Sequence, residues 1–252
     1  MQNNMSETIT LFFVFLIGIF ASIFGTMVGG GTLLSIPFLI IVGLPPQVAI
    51  ATERFGGIGQ TIAAFIKLFK SQKIVWKYVL CLTIISVTGS LIGANILVNI
   101  NPVILHNLVG VIVLALLPLL LLKPDLGIQN TTTSKTKIII GSIIYFFVQI
   151  FAAFFGGGTG ILILYTLMLC FGLTIIEATA TKTVPWFFLS ISSLVIFAVK
   201  GIINYKMGTV MLIGMAIGGY IGAHIVLKKG NIWVKRLFFF FIIISAIKLL
   251  FF

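Results

Sequence analysis

The sequence predicts an all-α integral membrane protein built from two inverted-topology repeats, each of which contains broken or re-entrant short helices. Three observations carry this prediction: the composition, an internal duplication and the distribution of lysines. Hydrophobic residues make up 60% of the 252 residues and charged residues only 8%, whereas about one quarter of the residues in soluble domains are charged. The composition therefore places the chain in a lipid bilayer.

Five apolar stretches are each about as long as the ~20 residues that cross a bilayer as a helix. They cover residues 8–28, 74–98, 103–122, 138–155 and 207–227. The residues before the first stretch contain no Lys or Arg, unlike the start of a cleavable signal peptide. We therefore expect this stretch to remain in the mature protein.

The duplication relates residues 29–108 to residues 158–237, which follow 129 positions later without a gap. The window GLPPQVAIAT at Gly43 returns at Gly172 as GLTIIEATAT with five of ten residues identical, and GSLIGANI at Gly89 returns at Gly218 as GGYIGAHI. Repeats with glycine-interrupted helices are typical of secondary transporters. We expect a first repeat at residues 1–126, a cytoplasmic linker at 127–137 and a second repeat at 138–252.

Basic residues indicate the topology, because cytoplasmic loops are enriched in Lys and Arg. Three clusters are predicted to be cytoplasmic: Lys67, Lys70, Lys73 and Lys77; Lys123, Lys135 and Lys137; and Lys228, Lys229, Lys235 and Arg236. The N-terminal tail and the loop after Val98 contain none, which places them outside. The basic loop precedes the GSLIGANI helix but follows the GGYIGAHI helix, so the repeats are predicted to be inverted. Five segments per half satisfy this topology, and so do three crossings plus a re-entrant hairpin.

Two segments in each half look too short to cross the bilayer. They are residues 32–43 and 56–69 in the first half and residues 161–172 and 184–199 in the second. Twelve residues extend ~18 Å as a helix, against a hydrocarbon core of ~30 Å. The prolines beside the sequences ATER and ATATKTVP are predicted to interrupt the helix between the two segments. Broken backbone at this depth needs shielding by protein or a water-filled cavity.

The predicted interruptions and their hairpins contain four ionisable residues: Glu53, Arg54, Glu177 and Lys182. Glu53 and Lys182 occupy equivalent positions of the two repeats. A charge within the membrane points to function, because it costs at least ~2.5 kcal/mol at a helix centre. We assign Arg54 and Lys182 to attraction of an anion, and Glu53 or Glu177 to carrying a coupled proton. The structural alternative is that Glu53 pairs with Lys182 and Arg54 with Glu177, which would lock the two hairpins together.

Thr52 and Thr181 align with one another, and each is predicted to precede the N-terminal end of the second short helix. Two helix N-termini that face each other present unpaired N–H groups and partial positive charge to an anion. Helix capping is the commoner role of such threonines, and glycine clusters are also typical of helix packing in membranes. The candidate substrate-binding residues are Gly29, Gly30, Gly31, Thr32, Thr52, Arg54, Gly156, Gly157, Gly158, Thr159, Gly160, Thr181 and Lys182.

No motif indicates catalysis, nucleotide use or metal binding. The GGGTG sequence at Gly156 lacks the Gly-Lys-Ser/Thr of a P-loop. Cys81 and Cys170 fit no metal spacing, and His106 and His224 have no carboxylate or Cys nearby in sequence. We therefore expect no catalytic residues, no metal and no cofactor. The expected partners are a small anion and the lipid bilayer, without nucleic acid, and the number of copies stays open, so a homo-oligomer is compatible with the sequence.

Three sequence features resemble the sulfite exporter TauE/SafE family of bacterial permeases over nearly the whole chain. They are FGTMVGGGTLLSIPFLIIVGLPPQVAIAT, its second copy FFGGGTGILILYTLMLCFGLTIIEATATK, and the pair GSLIGANI and GGYIGAHI. The resemblance implies a multi-pass protein of the inner (cytoplasmic) membrane that moves small anions, often sulfite or organosulfonates, without a nucleotide. The sequence departs from the usual pattern after Thr52, where Glu53 and Arg54 replace small polar and apolar residues.

Together, these features predict a secondary transporter of small anions such as sulfite, thiosulfate or organosulfonates, with proton coupling. One alternative is an anion channel, which conductance far above carrier turnover would distinguish. Another is a membrane scaffold or a lipid-active enzyme. The charged hairpins argue against a scaffold, and the scarcity of acids and histidines argues against an enzyme.

Overall fold

The computed structural model describes residues 2–100 and 127–251, and within these ranges the chain forms eight helices and no strand. The helices are α1 (Gln2–Val28), α2 (Thr32–Ile41), α3 (Pro46–Phe69), α4 (Trp76–Asn99), α5 (Lys135–Phe154), α6 (Thr159–Phe171), α7 (Ile175–Val199) and α8 (Tyr205–Phe251). α8 is interrupted at Gly230, whose φ of 79° and ψ of 174° are not helical. The predicted span at residues 103–122 lies outside the described residues, as do Lys123, His106 and the loop at residue 101.

The helices α1–α4 correspond in order to α5–α8. α3 begins at Pro46 and α7 at Ile175, while α4 begins at Trp76 and α8 at Tyr205. Both pairs of starting points are 129 positions apart, which is the offset of the sequence duplication. The duplicated sequence therefore folds into the same order of helices twice.

Within residues 2–100 and 127–251, five helices are long and apolar enough to cross a membrane: Glu7–Val28, Trp76–Asn99, Lys135–Phe154, Ile175–Val199 and Tyr205–Val234. Large apolar side chains on their outer faces, such as Phe12 and Leu80, are exposed. Such an apolar exterior suits contact with lipid, since soluble proteins rarely expose large contiguous apolar patches. The protein is therefore a multi-pass integral membrane protein.

α2 and α6 confirm the prediction of a short helix after each glycine cluster. α2 has 10 residues and α6 has 13, so they extend about 15 Å and 20 Å. The prediction of a second short helix in each half is wrong. α3 runs without interruption from Pro46 to Phe69 and α7 from Ile175 to Val199.

The prolines explain why the sequences ATER and ATATKTVP do not interrupt their helices. Pro46 is the first residue of α3, where the missing N–H would have no helical partner anyway. Alanines follow it and favour the helix. Pro185 lies inside α7, and membrane helices tolerate an internal proline because neighbouring groups can satisfy the freed carbonyl.

The two halves exchange packing partners. α8 packs mainly against α1 and α3 of the first half, and α4 packs mainly against α5 and α7 of the second. Gly93 of GSLIGANI and Gly222 of GGYIGAHI are equivalent, and an added Cβ would overlap the carbonyl of Ile150 or Ile23. Small residues that let helix backbones approach closely are common at membrane helix interfaces. These repeated motifs therefore have a packing role.

Thr52 and Thr181 join the two halves through a pair of equivalent hydrogen bonds. The N–H of Asn204, just before α8, donates to Thr52 Oγ1 at 3.0 Å, and the N–H of Val75, just before α4, donates to Thr181 Oγ1 at 3.0 Å. Both threonines lie inside long helices, so the prediction that they precede short ones is wrong. Each instead satisfies a backbone donor at the start of a helix of the other half.

The two halves begin near opposite ends of the part of α8 that precedes its interruption at Gly230. Glu7 of α1 forms an ion pair of 2.5 Å with Lys206, in the first turn of α8. The linker before α5 lies against the region after Gly230, where Asn231 Nδ2 donates to the carbonyl of Ile128 at 3.0 Å. Roughly 35 Å of helix separates Lys206 from Gly230 at 1.5 Å per residue.

Candidate functional site

A cavity of about 640 Å³, including its opening to solvent, lies between α1, α2, α3, α7 and the turn before α6. It is lined by Gly25, Thr26, Gly29, Gly31, Thr32, Glu53, Arg54, Gly57, Gln60, Thr61, Ala64, Gly156, Gly160, Thr179, Lys182, Thr183, Trp186 and Ser190. Most of these residues are small, polar or charged. The cavity therefore suits a polar ligand better than an apolar one.

The N-terminal ends of α2 and α6 meet beside this cavity. Their N-cap residues, Gly31 and Gly158, make no side-chain capping bond. The chain turns before α2 at residues 29–31 and before α6 at residues 156–158, and we call these the glycine turns. They cross so closely that a Cβ at Gly29 would overlap the backbone of Gly160, and one at Gly160 would overlap that of Gly29. Most N–H groups of their first turns donate to carbonyls of the preceding glycines, such as Leu33 to Gly30 and Ile161 to Gly158. The partial positive charges of the two helix ends therefore lie together. The facing helix N-termini expected from the sequence belong to α2 and α6, and not to α3 and α7.

Thr32 and Thr159, at the starts of the two short helices, share one acceptor. Both hydroxyls donate to the carbonyl oxygen of Gly156 at 2.8 Å. The bond from Thr32 crosses between the halves, whereas Thr159 bonds within its own turn. These two hydrogen bonds therefore fix the position of the two glycine turns relative to each other. Thr32 also lines the cavity.

Arg54 lies almost entirely inside the protein, with 2% of its surface exposed. Its Nη2 donates to the carbonyl of Ala152, and its guanidinium carbon lies 5.1 Å from the ring centroid of Trp186, within cation–π range. Its Nε has no hydrogen-bond partner among the described residues. A buried donor without a partner costs free energy, which a polar ligand in the cavity would recover.

Glu53 and Lys182, the equivalent residues of the two repeats, both line the cavity. Glu53 is 4% exposed and accepts a hydrogen bond of 3.4 Å from Ser35. Lys182 is half-buried, and no hydrogen bond or ion pair joins its ammonium to another described residue. The described part of the chain contains one ion pair within 4 Å, Lys206 with Glu7. Neither ion pair of the structural alternative is therefore present.

Glu177 does not line the cavity. It forms a capping box with Thr174 at the start of α7: its N–H donates to Thr174 Oγ1 at 3.3 Å, and its Oε2 accepts from the Thr174 N–H at 2.9 Å. Its other oxygen accepts from Asn130 of the linker at 3.2 Å. These contacts assign Glu177 to holding the start of α7 and the linker.

The family profile of the sulfite exporter TauE/SafE proteins matches residues 14–249. This chain belongs to the TauE/SafE family. The family and the names of the relatives below indicate a membrane transporter.

Curated relatives of this TauE/SafE chain are named as probable membrane transporter proteins. The Haemophilus influenzae protein is 26% identical over 222 residues, covering 88% of this chain and 87% of its own length. The Sinorhizobium protein ORF9 is 25% identical over 248 residues, covering 95% and 92%. The Escherichia coli K12 protein YfcA is 26% identical over 247 residues, covering 96% and 89%. No solved structure matches the chain significantly.

The cavity of this TauE/SafE protein contains about half of the residues expected from the sequence. Gly29, Gly31, Thr32, Glu53, Arg54, Gly156, Gly160 and Lys182 line it. Six further candidates do not: Gly30, Gly157, Gly158 and Thr159 belong to the turns beside it, and Thr52 and Thr181 make the bonds between halves described above.

Sequence reasoning missed ten lining residues: Gly25, Thr26, Gly57, Gln60, Thr61, Ala64, Thr179, Thr183, Trp186 and Ser190. Among them, the buried hydroxyls of Thr179 and Ser190 have no hydrogen-bond partner in the described part of the chain. Together with Arg54 Nε, three lining residues therefore have unsatisfied polar atoms.

Proposed function

We propose that this chain is a secondary transporter of small anions in the cytoplasmic membrane, with sulfur oxyanions such as sulfite, thiosulfate or short organosulfonates as substrates. The observation that carries the proposal is the cavity in which Arg54, Lys182 and the uncapped N-termini of α2 and α6 converge. The name of the family points to sulfite as one member of this class.

A small oxyanion fits the chemistry of this cavity. Among the described residues, the ammonium of Lys182 has no ion-pair partner, and Arg54 Nε and the hydroxyls of Thr179 and Ser190 have no hydrogen-bond partner. Hydrogen bonds from charged donors to oxyanions are about twice as strong as neutral ones. Donors from several directions suit a tetrahedral or pyramidal anion, whose oxygens also point in several directions.

Transport by purified protein in proteoliposomes tests this proposal. We expect protein-dependent uptake or release of radiolabelled sulfite or a two-carbon sulfonate, and background rates in protein-free liposomes. Transport of amino acids, sugars or metal cations with no response to any sulfur oxyanion would contradict it. Currents far above carrier turnover would assign a channel instead of a carrier.

We further propose that Glu53 carries a coupled proton. Of the two candidates, Glu53 lines the cavity with the two cations, whereas Glu177 is held in its capping box. A pH gradient is expected to change the transport rate of the wild-type protein. Glu53→Gln is expected to remove this dependence, because glutamine cannot exchange a proton, and Glu177→Gln to retain it.

The topology that we propose is inverted, with the N-terminus outside and the linker cytoplasmic. Two observations support it: the asymmetric lysines, and the placement of Glu7 and Ile128 near opposite ends of the part of α8 that precedes Gly230. Inverted repeats around a central site are common among secondary transporters.

Cysteine labelling in whole cells tests this topology. In a version without Cys81 and Cys170, single cysteines at Asn3 and at residue 101 are expected to react with an impermeant thiol reagent. Cysteines at Thr132 and Gly230 are expected to react only after permeabilisation. Labelling of Thr132 in intact cells would rule out the inverted arrangement.

A further inference from the structure

We propose that Glu53 sets the charge of the anion that the cavity accepts. With Glu53 ionised the site takes a monoanion, and it takes a dianion only together with a proton on Glu53. This inference rests on the proposed function, because it concerns the charge class of the substrate at the same site.

The charges around the cavity are few and come from two helices. α3 contributes Glu53 and Arg54, and α7 contributes Lys182. α1, α2 and the turn before α6 contribute only glycines and the uncharged Thr26 and Thr32, and the contact of Glu53 on α2 is the hydroxyl of Ser35. The formal charge of the lining residues is therefore +1 with Glu53 ionised and +2 with Glu53 protonated.

The net charge of the lining residues determines which anion binds best, because neither Arg54 nor Lys182 is neutralised by an ion pair. No nitrogen of Arg54 or Lys182 lies within 4 Å of a carboxylate oxygen in the described part of the chain. Uncompensated charge away from water is costly, and interactions between charges are stronger there than in water. The most favourable ligand is therefore one that brings the total charge close to zero.

Glu53 opposes the second negative charge of a dianion. Its carboxylate has one hydrogen bond, from Ser35, and is 4% exposed, so little water is available to screen it. Protonation removes this repulsion and also makes the charge of the lining residues match a dianion. Binding of a dianion should therefore be linked to uptake of a proton, and binding of a monoanion should not.

Methanesulfonate and thiosulfate separate charge from shape. Each has a central sulfur with three oxygens and a fourth substituent, which is a methyl group in the first and a sulfur in the second. Methanesulfonate is a monoanion and thiosulfate a dianion, and both stay fully ionised around neutral pH. Any difference in proton uptake during binding therefore comes from the protein.

Isothermal titration of the purified full-length protein with each anion at neutral pH gives the test. Wild-type protein is expected to bind methanesulfonate about tenfold more tightly than thiosulfate, and Glu53→Gln to reverse this preference to about tenfold in favour of thiosulfate, each tenfold step being about 1.4 kcal/mol. Titrations in buffers of different ionisation enthalpy measure the number of protons that the protein takes up when the anion binds. When thiosulfate binds, wild-type protein is expected to take up about one proton per anion, and Glu53→Gln is expected to take up none.

Glu177→Gln is the matched control. It removes one carboxylate from α7 that does not line the cavity, and glutamine at this position also completes a capping box. Its preference and proton uptake are expected to equal those of wild-type protein. Melting curves check that each variant is folded.

The outcomes separate this inference from the proposed function. If wild-type protein binds neither anion, the proposed function fails. If it binds both and Glu53→Gln leaves the preference unchanged, the role of Glu53 is wrong while the proposed function stands. If Glu53→Gln does not fold, equal proton uptake for the two anions in wild-type protein overturns the inference alone.

Discussion

Gly160→Ala is expected to destabilise the protein by about 3 kcal/mol or to prevent its assembly in the membrane, because overpacking a tight contact typically costs 1–3 kcal/mol and occasionally more. A methyl group at this position would overlap the backbone of Gly29. Neither backbone can withdraw without separating α2 from α6. The unfolding temperature of purified protein in detergent, with the yield from membranes, measures the effect.

Gly57→Ala is the control for Gly160→Ala. Gly57 is a helical glycine of α3, and an added Cβ there meets no atom within 4 Å. Alanine is the better helix former by up to about 1 kcal/mol, so stability should be equal or higher. If Gly160→Ala melts at the wild-type temperature, the crossing of the two glycine turns is wrong.

The sequence predicted the helices that depend on apolar length and on the duplication. The offset of 129 positions reappears in the starts of α3 and α7 and of α4 and α8. Errors arose where prolines were interpreted only as interruptions. Pro46 begins α3 and Pro185 lies inside α7, and the effect of a proline depends on its position in the helix.

This error also concealed part of the cavity. On α3, lining residues follow at helical spacing from Glu53 through Gly57 to Gln60 and Ala64. On α7 the same spacing runs from Thr179 through Lys182 and Trp186 to Ser190. A continuous helix at 3.6 residues per turn places such residues on one face. This spacing could have predicted the lining residues, but the assumption of a helix break excluded it.

The sequence before Glu177 contains a second signal, which could have predicted the structural role of this residue. Thr174 lies three residues before it, which is the spacing of a capping box, and the structure contains that box. The contacts between halves carried no such local signal. Thr32 with Gly156 and Gly29 with Gly160 join residues about 130 positions apart, and only the packing of the whole chain brings them together.

Lys182→Met is expected to reduce anion binding by about a hundredfold, equivalent to about 2.8 kcal/mol at 1.4 kcal/mol per tenfold step, while the protein still folds. The ammonium lines the cavity and has no partner among the described residues, so its removal leaves no protein group unpaired. Methionine keeps the unbranched shape of the lysine stem. Titration with methanesulfonate and thiosulfate measures binding, and melting curves measure stability.

Lys200→Met is the matched control, because Lys200 is exposed at the C-terminal end of the same helix and the substitution is identical. It is expected to bind both anions as the wild-type protein does. An equal loss of binding in Lys200→Met would show that the loss in Lys182→Met does not come from the cavity. If Lys182→Met fails to assemble and Glu53→Gln in the same chain restores assembly, the two residues form a structural ion pair, because removing one partner leaves an uncompensated buried charge and removing both relieves it.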